Sequence, residues 1–201
     1  MKVAILTFDG FNELDSFIAL GLLNRLYALG WSAQITSPTA QVRSMNGVTV
    51  AAQQPLEFAN EADVVLFGSG IHTRAIAADS ALLDRLQLDP LRQLIGGQCS
   101  GTLLMARLGL LADMPACTDS TTKPWVVEAG VRVVEEPFHA RGPIATAGGC
   151  LASQYLAAWV MVSGAGLDAA RSALHYAAPV GEKDAYVDRV LGVVKPFLPK
   201  A

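Results

Sequence analysis

Two kinds of apolar pattern alternate along the chain: short unbroken runs and stripes at helical spacing. Lys2 to Thr7 is an unbroken aliphatic and β-branched run, which predicts a strand buried on both faces, and it stops at a turn, Asp9-Gly10. Leu14, Phe17, Ile18, Gly21, Leu22, Leu26 and Leu29 follow at i, i+3, i+4 spacing and predict a helix closed by Gly30. Trp31 to Thr36 is a second strand, and Asn46-Gly47 between Val42 and Val48-Thr49-Val50 signals a hairpin. Ala62 to Phe67 is a third buried strand running into Gly68-Ser69-Gly70, followed by a helix over Ser80 to Leu88 capped by Ser80. Leu91 to Gly97 leads into a helix at Thr102 to Leu108, while Gly130 to Val134 and Ile144 to Ala147 read as strands and Cys117 as strand interior. Helices at about 151–163, 167–177 and 183–197 close the chain. This alternation predicts an α/β fold with a mostly parallel sheet covered by helices on both faces. In such sheets the site lies beyond the carboxyl ends of the strands.

Composition narrows the class. At 201 residues the chain suits a single domain, 1–201, with a sizeable core and no linker. Hydrophobic residues reach 52% and charged residues only 16%, and the formal charge is -3 with no basic cluster, so a nucleic-acid partner is not expected. The opening apolar run is too short for a signal peptide and no stretch approaches a membrane span, which makes the cytoplasm the expected compartment. Three widely spaced cysteines, Cys99, Cys117 and Cys150, have neither disulfide-framework nor zinc-ligand spacing, in keeping with a reducing compartment. No metal or cofactor is called for.

Gly97-Gln98-Cys99-Ser100-Gly101 lies between the short run Leu94-Ile95 and an apolar helix. Glycine-x-nucleophile-x-glycine at a strand-to-helix turn is the pattern of a nucleophile elbow. Cys99 would stand at the first turn of a helix, where free N–H groups and the dipole favour thiolate over thiol. The competing reading is a buried packing cysteine.

The other strand ends supply what a thiol site could use. Asp15 lies three residues after Asn12, as a capping pair or as a carboxyl beside the Cys99 sulfur. Two anions that close share a proton, which predicts a protonated Asp15 against a thiolate. Gly68-Ser69-Gly70 is either a tight turn or, through the Gly70 N–H acting with that of Ser100, an oxyanion hole. Of the histidines, only His72 falls on a strand-end loop; His175 lies in a late helix. Cys150 follows Gly148-Gly149 but reads as core packing.

Thr7 to Asp15, Asp63 to Gly70, the elbow, and Ile144 to Gly149 together resemble the PfpI superfamily, whose relatives include the parkinsonism-associated deglycase, PfpI-type proteases and isonitrile hydratases. The resemblance implies a flavodoxin-like, glutamine-amidotransferase-type three-layer sandwich, a homodimer, Cys99 as nucleophile, Asp15 as its acid, and Gly70 and Ser100 as oxyanion donors. Branches that hydrolyse peptides or process glyoxal place a histidine shortly after the cysteine. Here that stretch reads Asp119-Ser120-Thr121-Thr122-Lys123-Pro124-Trp125, without one. The Asp–Cys pair with Ser100 after the cysteine instead resembles the isonitrile-hydratase branch. His72, Phe11, Thr121 and Trp125 are candidates for the pocket wall.

The expectation is therefore a cysteine-dependent enzyme acting on a small-molecule substrate with an electrophilic carbon, isonitrile hydratase-like. The alternatives are a thiol-based redox or stress-response protein, and a glyoxalase/deglycase-like or amidase-like member of the same superfamily. No room remains for the DNA-binding module of a ligand-sensing regulator.

Overall fold

Val3 and Ile5 of β1 (Lys2–Leu6) face one hydrophobic core, and Ala4 and Leu6 face another. The same split repeats in β6 (Val64–Phe67), where Val64 and Leu66 join the first core and Val65 and Phe67 the second. Strands alternate their side chains, so a run that is apolar at every position has to be covered on both sides. The computed structural model describes residues 1–112 and 114–198.

The first core lies under α1 (Glu13–Leu23), α6 (Ser153–Ala165), α7 (Leu167–Ala177) and α8 (Lys183–Val194). The second lies under α2 (Thr73–Ala78), α3 (Ser80–Leu83), α4 (Gly101–Arg107) and α5 (Lys123–Glu128). Between them runs a seven-stranded sheet. Its order is β5 (Gln54–Pro55), β2 (Ser32–Ser37), β1, β6, β7 (Leu94–Gln98), β9 (Ile144–Ala147) and β8 (Phe138–Arg141). Every neighbouring pair is parallel except β8 with β9. The order β2-β1-β6-β7-β9 is the flavodoxin-like one, with its switch point between β1 and β6. The expected three-layer sandwich is thus the fold. A separate hairpin, β3 (Gln41–Arg43) with β4 (Thr49–Ala51), turns at Asn46-Gly47. Among the described residues no helix is long and apolar enough to cross a membrane.

Several expected elements differ. The first helix ends at Leu23 and continues as a 3-10 turn, Asn24–Leu29, before Gly30 closes it at φ 76°. The helix expected over Ser80 to Leu88 stops at Leu83, and its cap is Asp79, whose carboxylate accepts from the Leu82 N–H. Gly130 to Val134 forms no strand: the Arg132 carbonyl and the Val134 N–H both bond to Ala116, leaving a single isolated bridge. Cys117, one residue beyond that bridge, is buried outside any strand, its N–H donating to Thr146 Oγ1. The strand in this part of the chain is β8, an edge strand too short to show a clear pattern.

Candidate active site

The elbow forms as its glycines require. Cys99 is the one non-glycine residue with positive φ among the described residues, at 53°, a region that costs strain for any side chain. A Cβ on Gly101 would sit 2.4 Å from the Phe67 carbonyl oxygen, so the start of α4 lies directly against the end of β6. Both sides of the turn are pinned. The Cys99 N–H donates to Ala147 O at 2.8 Å, Thr118 Oγ1 donates to Cys99 O at 2.8 Å, and Gln98 Nε2 donates to Gly149 O at 2.8 Å.

Asp15 comes from the first turn of α1, beside the switch point, and is 1% exposed. Asn12 caps this helix by accepting from the Leu14 N–H, but Asp15 does not return to the cap. Its Oδ2 accepts from the Ser69 hydroxyl, and its Oδ1 has no conventional partner among the described residues. Burial first, and the neighbouring Asp119 charge to a lesser degree, push its carboxyl up to about 6.

The Cys99 thiol is 6% exposed and is pushed well above the ordinary thiol range. Burial is the main cause, and the charges of Asp15 and Asp119 add to it. This reverses the expected thiolate. The Asp15 charge bears on the Cys99 thiol, and the direction of the shift favours a protonated sulfur rather than a thiolate beside a protonated Asp15. The seven-residue α4 offers a weak dipole against two carboxylates and a desolvated sulfur.

Two further groups complete the cluster. Asp119 Oδ1 accepts from the N–H groups of Thr121 and Thr122, both at 2.9 Å. The carboxylate lies within hydrogen-bonding reach of the Cys99 thiol, and its Oδ2 is otherwise buried without a partner. Asp119 therefore stands in the stretch where a histidine was looked for. Cys150 accepts from Asn12 Nδ2 at 3.1 Å, and its thiol is within reach of both Cys99 and Asp15. Sequence reasoning passed over both. The clue for Asp119 was an acid just upstream of a Thr-Thr-Lys-Pro helix start; for Cys150 only its place at a strand end distinguished it.

The expected oxyanion donors are adjacent but not both free. The Gly70 N–H donates to Ser100 Oγ at 3.1 Å, and that hydroxyl also pairs with Thr73 Oγ1 at 2.8 Å. The Ser100 N–H has no protein acceptor among the described residues.

The expected pocket residues spread apart. Phe11 is 1% exposed, stacks edge-on against Phe17, and bridges to Gly70 through its backbone. His72 is exposed, its ring lying over Gly10. Thr121 is exposed beside the Asp119 turn. Trp125 belongs to α5, which turns it under Arg74 and into a separate cavity of about 380 Å³ with Leu103 and Arg107. Among the described residues no three His, Cys, Asp or Glu side chains are placed to hold a metal ion.

The sequence model of the DJ-1/PfpI family matches residues 1–163. No curated protein matches the sequence significantly. Similar solved structures include Schizosaccharomyces pombe DJ-1, at 15% identity and TM-score 0.76, covering 89% of this chain and 100% of that one. A THiJ/PfpI family protein from Pseudomonas syringae aligns at 18% identity and TM-score 0.77, covering 96% and 87%. A cysteine-to-alanine mutant of a DJ-1 superfamily protein from Salmonella typhimurium aligns at 20% and 0.75, covering 89% and 98%.

Proposed function

The chain belongs to the DJ-1/PfpI family, and we propose that within it this protein is a cysteine-dependent enzyme that adds water to a small electrophilic carbon. Isonitrile hydration to an N-substituted formamide is the specific reaction. The observation that supports this reading is the strained Cys99 thiol clustered with two carboxylates, the buried Asp15 and the half-buried Asp119, with no histidine in the stretch Asp119 to Trp125.

With an isonitrile, the Cys99 sulfur attacks the terminal carbon while its proton passes to the Asp15 carboxylate. Asp15 returns that proton to the same carbon, giving a thioimidate, R–N=CH–S–Cys99. Water then adds across the C=N bond, Asp15 taking its proton and delivering it to nitrogen. Collapse of the tetrahedral adduct breaks the C–S bond, restores the thiol and releases R–NH–CHO. A base near 6 suits this traffic at neutral pH. Asp119 disfavours a free thiolate, which confines sulfur ionisation to the moment of attack. The unengaged Ser100 N–H is placed to stabilise charge on the adduct.

The test is turnover of small isonitriles by the purified protein, followed as formamide by NMR, beside Cys99→Ala. Formation by the wild type and its loss in the variant, with an unchanged thermal melt, is the expected result. No formamide from any small isonitrile, or turnover that survives Cys99→Ala, removes the reading.

A further inference from the structure

Cys150 is unused by this mechanism, yet it sits in the same cluster. Its turn begins at Gly149, φ 88°, and leads into α6. Two ties hold it against the elbow. Gln98 and Ala147 are register partners across β7 and β9, and Gln98 Nε2 binds Gly149 O, the carbonyl of the residue just before Cys150. The sulfurs of Cys150 and Cys99 lie within hydrogen-bonding reach of each other. Asn12 Nδ2 donates to Cys150 Sγ at 3.1 Å, which leaves the sulfur lone pairs oriented by a fixed amide. Cys150 is half-buried, so it is reachable from solvent. Cys117 is different: it is fully buried, and its neighbours are Thr146 and Glu136.

We propose that Cys99 and Cys150 are a dithiol pair that closes to an intramolecular disulfide when a hydroperoxide reaches the site. Cys99 sulfur attacks the peroxide O–O bond, forming a sulfenic acid and releasing water or, from an alkyl hydroperoxide, the alcohol. Cys150 sulfur then attacks Cys99 sulfur; the S–S bond forms, the S–OH bond breaks, and the hydroxyl leaves as water with the Cys150 proton. Two thiols lose two electrons and the peroxide gains them. Asp15, within reach of Cys150, is placed to carry that proton. The disulfide withholds the Cys99 nucleophile and keeps it from the irreversible sulfinic and sulfonic stages. Nothing in this step depends on isonitrile turnover, so the two readings fail separately.

The test treats the full-length protein with stoichiometric hydrogen peroxide and maps peptides without reduction. Wild type is expected to lose two hydrogens and yield one linked peptide joining Cys99 to Cys150, both reversed by dithiothreitol. Cys150→Ser is expected to give oxygen adducts on Cys99 that dithiothreitol does not fully remove, and Cys117→Ser to behave as wild type. Oxygen adducts on Cys99 in the wild type with Cys150 left as a free thiol overturn the proposal, as does a link through Cys117. Should Cys150→Ser fail to fold, the wild-type map alone decides, since the linked peptide is either present or absent.

Discussion

Two glutamines bracket β7, and the fold treats them differently. Gln93, just before the strand, is 1% exposed; Gln98, its last residue, is 2% exposed. Gln93 Nε2 donates to the carbonyls of Ala59 and Ala62, and its Oε1 accepts from the Asp89 N–H. Gln98 makes one bond, to Gly149 O, and its Oε1 has no partner among the described residues. The surroundings follow suit. At the amino ends Asp63 accepts from the Lys2 N–H, Arg92 bonds the carbonyls of Asn60 and Ala62, and Asn60 bonds both Arg85 and Gln87. At the carboxyl ends Asp15 Oδ1, Asp119 Oδ2 and Ser16 Oγ are left short. A buried polar atom without a partner costs about 1–3 kcal/mol. One end of the sheet therefore secures the fold, and the other holds groups that a substrate could satisfy.

Three substitutions press on that contrast, in falling order of size. Gln93→Met keeps the volume but removes the side-chain partner of the Ala59 carbonyl and the Asp89 N–H, the Ala62 carbonyl keeping Arg92, and should lower unfolding free energy by about 2–4 kcal/mol in urea titrations, with activity per folded molecule unchanged. Asp15→Asn should do the reverse and stabilise. The carboxyl moves from 3.8 to about 6 on folding, so between those values the folded chain holds a proton the unfolded chain has released. Stability is full below 3.8 and falls as pH rises through about 6. The whole cost, lifted in Asp15→Asn, is about 3 kcal/mol at neutral pH and vanishes in acid; melts at the two pH values measure it. Gln98→Met should cost no more than about 1 kcal/mol, because one bond is lost and one orphan removed. Equal losses at Gln93 and Gln98 would erase the contrast.

The sequence exposed the frame of the site better than its contents. Unbroken runs located β1 and β6 because burial on both faces leaves no polar position to confuse the period, and the elbow pattern marked the end of β7. Those strands put Asp15, Ser69-Gly70 and Cys99 at one sheet edge without further information. Asp119 and Cys150 escaped because each is brought in by a loop whose path depends on tertiary packing. Asp119 is held by the turn into α5, and Cys150, beside the exposed Leu151, looked like core. The ionisation state was also beyond reach. Helix position predicts a thiolate, but the burial of the sulfur first, and the nearby carboxylates after it, push the thiol upward instead.

The contact between Gly101 and the end of β6 bears on how such a protein can diversify. With the backbones of β6 and α4 touching there, no side chain can be accommodated at position 101 without separating the sheet from its helix. Cys99 is held alongside by bonds to two other segments. Innovation is then left to the rim, where exposed positions such as His72 and Thr121 carry no such constraint. A lineage built on this elbow can change what it takes in far more readily than where its sulfur stands.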